Sequence, residues 1–186
     1  TARRFIGAPK SEQIIFVRGT TEAINLVAYS WGGKHLGPGD EIVITHLEHH
    51  ANIVPWHFLR ERKGAVIKWV PVADDGSFLF EEFEKLVTPR TKVLFLDHLT
   101  SATALVFPVA ELCRRARAAG IVSIVDGAHV PGHVPLDLAQ LECDVYTGAL
   151  HKWACAPKGC SFLYAHPTAQ AWLEPLVVSW GWESDH

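Results

Sequence analysis

The sequence predicts an α/β domain: three layers, helix–sheet–helix, around a mainly parallel mixed sheet. Short β-branched runs alternate along the chain with stretches of helical periodicity, the signature of βα units. Several of those runs are apolar at consecutive positions, as in strands covered on both faces. The composition agrees. With 186 residues, 48% of them hydrophobic and 20% charged, the chain is globular. At that length it buries roughly 70% of its unfolded surface, enough for a core without staples.

The elements follow in order. Ile14–Arg18 is the first predicted strand, and Ile24, Val27, Ala28 and Trp31 then repeat at i, i+3, i+4 and i+7 as a helix. Strands are expected at Glu41–Thr45, Ala65–Val70 and Lys92–Asp97. Val109, Leu112, Cys113 and Ala116 mark a second helix, with Pro108 at its first turn and Gly120 at its stop. Ile121–Asp126, Asp144–Thr147 and Cys160–Tyr164 complete the strand set. No repeat, low-complexity linker or composition shift divides the chain, so residues 1–186 read as one domain or most of one.

A formal net charge of −3 argues against a protein that coats nucleic acid or lies on a membrane surface. No apolar run reaches the ~18 residues of a membrane span. The opening TARRFIGAPK has no apolar core of a secretory signal. Cys113, Cys143, Cys155 and Cys160 are scattered, and are expected to be reduced thiols in a reducing, cytoplasmic compartment. The chain begins at Thr1 and contains no Met, which suggests an internal segment of a longer protein, although a processed N-terminus would look the same.

In sheets of this kind ligands sit at the carboxyl ends of the strands. Those ends carry Gly19-Thr20-Thr21-Glu22, His46-Leu47-Glu48-His49-His50, Asp97-His98 leading to Thr100-Ser101, Asp126-Gly127-Ala128-His129, and His151-Lys152. So many polar side chains at one edge read as a single site. Gly19-Thr20-Thr21 lies where a strand hands over to a helix. It is either an N-capping threonine or an anion cradle built from free N–H groups. The histidine cluster invites a metal, but no second half of a zinc motif accompanies His46-Leu47-Glu48, and no metal is expected. There is no G-x-S-x-G elbow either. Asp126 ends an apolar strand, where a carboxylate is costly without a donor or cation. Lys152, beside Trp153, suits a partly desolvated amine able to form an imine, although position alone does not separate it from Lys158. Phosphate cradle, buried carboxylate and lysine are together the three anchors of pyridoxal 5′-phosphate (PLP).

At these residues the chain resembles the class V aminotransferase family of fold type I PLP enzymes. That group holds cysteine desulfurases, selenocysteine lyases and isopenicillin N epimerases. Phe16–Asn25 and Glu48–Trp56 are similar to the desulfurase version. Asp97–Ala104, Tyr146–Trp153 and Ala156–Gly159 resemble the epimerase branch more closely. The resemblance implies the PLP-binding large domain, without an N-terminal arm and C-terminal small domain, and a homodimer in the full-length protein. It implies that Lys152 bonds the cofactor, Asp126 pairs with the ring nitrogen, and His49 stacks on the ring. His129 and Ser101 would address the phenolic oxygen, and Thr20, Thr21 and His151 the phosphate. Ala149 stands where relatives tend to place Ser or Asn, removing one contact unless Thr147 substitutes.

The implied chemistry is loss of the α-proton of a small amino-acid substrate, with the freed Lys152 as base. The expected reaction is epimerisation of the isopenicillin N type. The alternatives are a cysteine desulfurase or C–S lyase, and, outside the enzymes of this family, a folded but non-catalytic segment. Relatives carry the desulfurase cysteine and the substrate-carboxylate arginine further downstream.

Overall fold

The computed structural model describes residues 1–180. A short helix, α1 (Ala2–Phe5), and a 3-10 turn lead into β1 (Ile14–Val17) and α2 (Thr20–Val27). A π turn (Ala28–Gly32) and α3 (Gly33–His35) connect to β2 (Glu41–Thr45), α4 (His50–Lys63), β3 (Val66–Val70) and α5 (Phe80–Leu86). Then come β4 (Thr91–Asp97), α6 (Val109–Ala118), β5 (Val122–Asp126), α7 (Leu138–Leu141), β6 (Val145–Ala149), β7 (Ser161–Ala165) and α8 (Pro167–Gln170). The sheet order is β1-β7-β6-β5-β4-β2-β3. Strands β3, β2, β4, β5 and β6 run parallel, and β7 is antiparallel to both β6 and β1. The expected mainly parallel mixed sheet is therefore present, with all seven predicted strands shifted by two residues or fewer at their ends.

The alternation of side chains explains the layers. Ile42, Ile44, Val93, Phe95, Ile124 and Leu163 face one side, packed on α2 and α4 through Ala23, Ile24, Val27 and Trp56. Val43, Leu94, Leu96, Val125, Tyr146 and Phe162 face the other, against Phe83, Leu112, Cys113 and Ala116. Strand β2 is buried at every position, the pattern of a strand covered on both faces.

Helix α2 differs from the single helix predicted through Trp31. It gives way at Ala28 to the π turn, where the Ser30 hydroxyl donates to Leu26 O at 2.6 Å. Gly32 lets that turn press on α4: a Cβ there would lie 2.5 Å from Leu59 Cδ1. Helix α6 matches its expectation, with Pro108 as N-cap and Gly120 beyond its end at φ +69°.

Strand β2 runs outward to β3, and the chain then returns to β4 on its other side. That reversal opens a crevice at the carboxyl ends of β2 and β4, the place where such sheets take ligands. Phe95, fully buried in β4 with its ring 5.8 Å from that of Trp56, holds this centre. Replacement of Phe95 by Ala is expected to lower stability by about 3–5 kcal/mol, measured by urea unfolding; a loss under about 1 kcal/mol would contradict the packing described.

Candidate active site

The carboxyl ends of the strands converge as the sequence anticipates. Thr20, His49, Ser101, Asp126, His129 and Lys152 line one narrow cavity, together with Asp97 and Ala128. Thr21 is exposed and His151 half-buried, and neither lines this cavity. Lys158 lies exposed in the turn before β7, outside the cavity, so geometry separates it from Lys152 where sequence position did not. A roomier cleft between Tyr29, Pro55, Phe58 and Leu59 is largely apolar and holds none of these groups.

Backbone register places the acids. Asp97 and Asp126 are directly paired at the ends of β4 and β5. Asp126 Oδ1 accepts from Ala128 N at 2.8 Å, closing the turn that carries His129. Gly127 is required in that turn because a Cβ would fall 1.9 Å from the Tyr146 hydroxyl. That hydroxyl in turn bonds His98 Nδ1 at 2.9 Å. Burial lowers the His98 pKa to about 4, so its ring is neutral at physiological pH.

The sequence reading placed Glu48 and Asp97 among the polar strand ends without giving either a role, and it did not single out Asn52. Glu48 is buried behind His49 and accepts from Thr45 Oγ1 (2.7 Å) and from Asp97 N (3.0 Å). Asn52, one turn into α4, donates through Nδ2 to Glu48 Oε2 (3.1 Å) and Asp97 Oδ1 (2.9 Å). Two carboxyl groups, Glu48 and Asp97, thus share one amide, and Asp126 lies beside Asp97 at the end of the next strand. Burial pushes all three above the ordinary carboxylate range, and like charge within the group adds to the rise at Glu48 and Asp97. Among the described residues no cation lies within ion-pair distance of Asp126. A carboxyl ending an apolar strand was a sufficient signal for Asp97, as it was for Asp126. Asn52 carried none, because its partner Asp97 is 45 positions away.

Lys152 sits in the loop between β6 and β7. Leu150 N donates to Cys160 O and Ala156 N to Leu150 O, which pins both sides of the loop. The ammonium is partly desolvated, and burial lowers the Lys152 pKa. Nζ lies 2.9 Å from His129 Nε2. His49 caps α4, its Nδ1 accepting from Ala51 N at 3.1 Å. Among the described residues no group of three or more His, Cys, Asp or Glu is arranged to hold a metal.

Two local expectations change. The N-cap of α2 is Gly19 rather than a threonine, and no side chain caps the helix. The first N–H groups, from Thr20 to Glu22, therefore have no partner within the helix, and the space beside Gly19 is open: a Cβ there would meet nothing within 4 Å. Thr147 does not substitute for the polar residue absent at Ala149, because its hydroxyl donates to Phe162 O inside the sheet. His151 Nδ1 lies 3.2 Å from Cys160 O, which only a protonated Nδ1 can satisfy. A neutral His151 then offers an acceptor at Nε2, and it can donate to an anion there only as the imidazolium.

The residues fit PLP. The open N-terminal turn of α2 suits a phosphate, Asp126 is a buried carboxyl without a cation, and Asp97 Oδ2 and Asn52 Oδ1 are buried without any partner. A protonated ring nitrogen would give Asp126 the cationic donor it lacks.

Comparison with known proteins gives a consistent picture. The family model for aminotransferase class-V matches residues 1–181. A probable cysteine desulfurase of Mycolicibacterium paratuberculosis is 49% identical over 164 residues, 88% of this chain and 24% of that protein. The crystal structure of the cysteine desulfurase CsdA from Escherichia coli superposes with a TM-score of 0.90 at 32% identity, over 96% of this chain and 44% of its own. The cystine C–S lyase C-DES, in a form with glycine covalently linked to PLP, gives a TM-score of 0.87 at 26% identity, over 96% of this chain and 47% of its own. The chain spans less than half the length of each of these relatives. The expected epimerase branch is not supported, since these relatives carry desulfurase and C–S lyase names. The segments that suggested it, Asp97–Ala104 and Tyr146–Trp153, border a site whose residues all three reactions would share.

The carboxyl cluster makes a testable statement. An acid raised on folding binds more protons folded than unfolded, so its contribution falls as pH climbs through and above the usual carboxylate range. Asp97→Asn keeps an oxygen for Asn52 and removes the titration. In urea unfolding the variant should gain about 1–3 kcal/mol on the parent near pH 8 and clearly less near pH 5. An equal change at both pH values would contradict the assignment.

Proposed function

The chain belongs to the aminotransferase class-V family, and on that premise we propose that it forms the cofactor-binding part of a PLP-dependent cysteine desulfurase, the whole protein acting as a homodimer on cysteine. The observation that carries the reading is the meeting of Lys152, Asp126 and Thr20 in one cavity, each suited to a different end of the cofactor.

Each residue has a physical task. The N-terminal turn of α2, with Thr20 and Thr21, would hold the phosphate by N–H groups and hydroxyls. Asp126 would accept the ring-nitrogen proton, and the burial that raises its pKa in isolation makes a cationic donor the natural partner. His49 would cover one face of the ring, held at its angle by the cap on α4. His129 and Ser101 would address the phenolic oxygen. The bound cofactor supplies an electron sink for the pair left when a proton leaves Cα. Lys152, bonded to the cofactor at rest and freed by the substrate amine, would take that proton at Nζ; an amine with a lowered pKa is suited to the role. In the whole protein, transfer of the substrate's β-sulfur to a thiol of the enzyme would leave alanine and an enzyme persulfide. Cys113 and Cys143 do not suit that step: both are buried, and burial pushes the Cys113 thiol up to about 12 and the Cys143 thiol higher than its usual range.

Addition of PLP to the protein should produce the visible absorbance of a lysine-bound cofactor, fixed to the chain by borohydride. Lys152→Ala should abolish both; retention of the reduced adduct would move the role to Lys158. Asp126→Ala should weaken PLP binding roughly tenfold or more, the worth of a charge-assisted bond. For the whole protein, alanine release from cysteine is expected, and racemisation of the α-carbon without alanine would favour the epimerase instead.

A further inference from the structure

Two contacts meet on the imidazole of His129. Trp153 Nε1–H reaches Nδ1 at 3.3 Å, and Lys152 Nζ lies 2.9 Å from Nε2. An indole nitrogen only donates, so Nδ1 must accept and carry no proton. A neutral imidazole then keeps its single proton on Nε2, where it faces the lysine. An ammonium has three donors and no lone pair, so only the free amine can receive that N–H. An imidazolium would set N–H against N–H at Nδ1. One combination satisfies both contacts: indole donor, Nε2–H imidazole, unprotonated amine.

We propose that Trp153 is a positioning residue that fixes His129 in its Nε2–H form, so that His129 presents a hydrogen-bond donor to the group held at Lys152.

The surroundings support the assignment. His133 packs on the Trp153 ring, with centroids 4.4 Å apart, and holds the indole from behind. Gly132, at φ +85°, lets the turn after His129 meet the backbone of Trp153, because a Cβ there would lie 2.8 Å from Trp153 C and O. Imidazole and indole are therefore carried on two segments in backbone contact. His129 is faced by Lys152, His49 and His133, and Lys152 by Asp126 and Asp97. Burial lowers the pKa of both His129 and Lys152, which favours the neutral forms that the two contacts require.

The chemical consequence rests on the reading of Lys152 as the cofactor's lysine, whereas the tautomer itself does not. In the cofactor-free protein, ring ¹⁵N–¹H correlation spectra distinguish Nε2–H from Nδ1–H histidine. His129 is expected in the Nε2–H form, and Trp153→Phe should shift the ratio of the two forms by about fivefold toward Nδ1–H, the worth of one hydrogen bond. An unchanged ratio overturns the proposal. Lys152→Ala leaves the indole contact intact and should preserve the Nε2–H pattern; its loss there would give control to the lysine and also overturn the proposal. A parent protein that shows the tautomer but no visible band with PLP would instead remove the cofactor reading.

Discussion

Glu41 and Glu48 are both buried, seven positions apart, and their surroundings drive them in opposite directions. Glu41 meets Lys68 at 2.8 Å and the hydroxyls of Thr88 and Thr91. Although burial alone would raise it, those partners bring its pKa down to about 2. Glu48 has hydroxyl, amide and N–H donors but no cation, and it shares Asn52 with a second carboxyl. The amino-end edge of the sheet is thus electrostatically settled, while at the carboxyl-end edge Glu48, Asp97 and Asp126 have no ion-pair partner among the described residues. The rest of the site is arranged around these carboxyl groups. Asp126 gains a reason to bind a positive ring nitrogen, and Lys152 gains neighbours that partly offset its desolvation.

Precision at this edge comes from packing beneath it. The Tyr146 hydroxyl fills the space a Gly127 side chain would take, and His98 holds that hydroxyl from the side. His98 N also donates to Asp126 O at 2.8 Å, and Gly127 N to Thr147 O at 2.8 Å, which ties the turn to the strands on both sides of it. The turn that carries Asp126 and His129 therefore has its backbone fixed by β4 and β6 and its floor fixed by a neutral polar pair.

The sheet was legible because its signal is local. Runs such as Val93–Leu96 are apolar at successive positions, and only a strand covered on both faces buries them all. Strand order and the reversal at β2–β4 were not legible, since no short window encodes which strand pairs with which. In the site, Asp126, His129 and Lys152 stood out as polar residues at predicted strand ends. Glu48 did not, because its sequence context, His46-Leu47-Glu48, suggested half of a metal motif, whereas in the fold its side chain turns under the helix. The length of α2 was missed for a different reason. The Ser30 back-bond and the contact of Gly32 with Leu59 are tertiary effects that override a regular periodicity. The reaction branch was misread because the segments used for it surround the cofactor, where different reactions keep the same residues.

The lysine loop sets the spacing of the site. It joins β6 to its antiparallel neighbour β7, with Ala149 opposite Ser161, and Thr147 of β6 stands opposite Asp126 of β5. Lysine and aspartate are thus gauged against each other across a single strand pairing and the loop between Ala149 and Ser161, a dimensional chain with few links. Each link is a backbone hydrogen bond, indifferent to side-chain identity. Segments elsewhere can drift in sequence, or be exchanged to suit another substrate, without altering the span between the two groups. A part with so short a tolerance chain can be inherited unchanged while the chemistry around it diversifies.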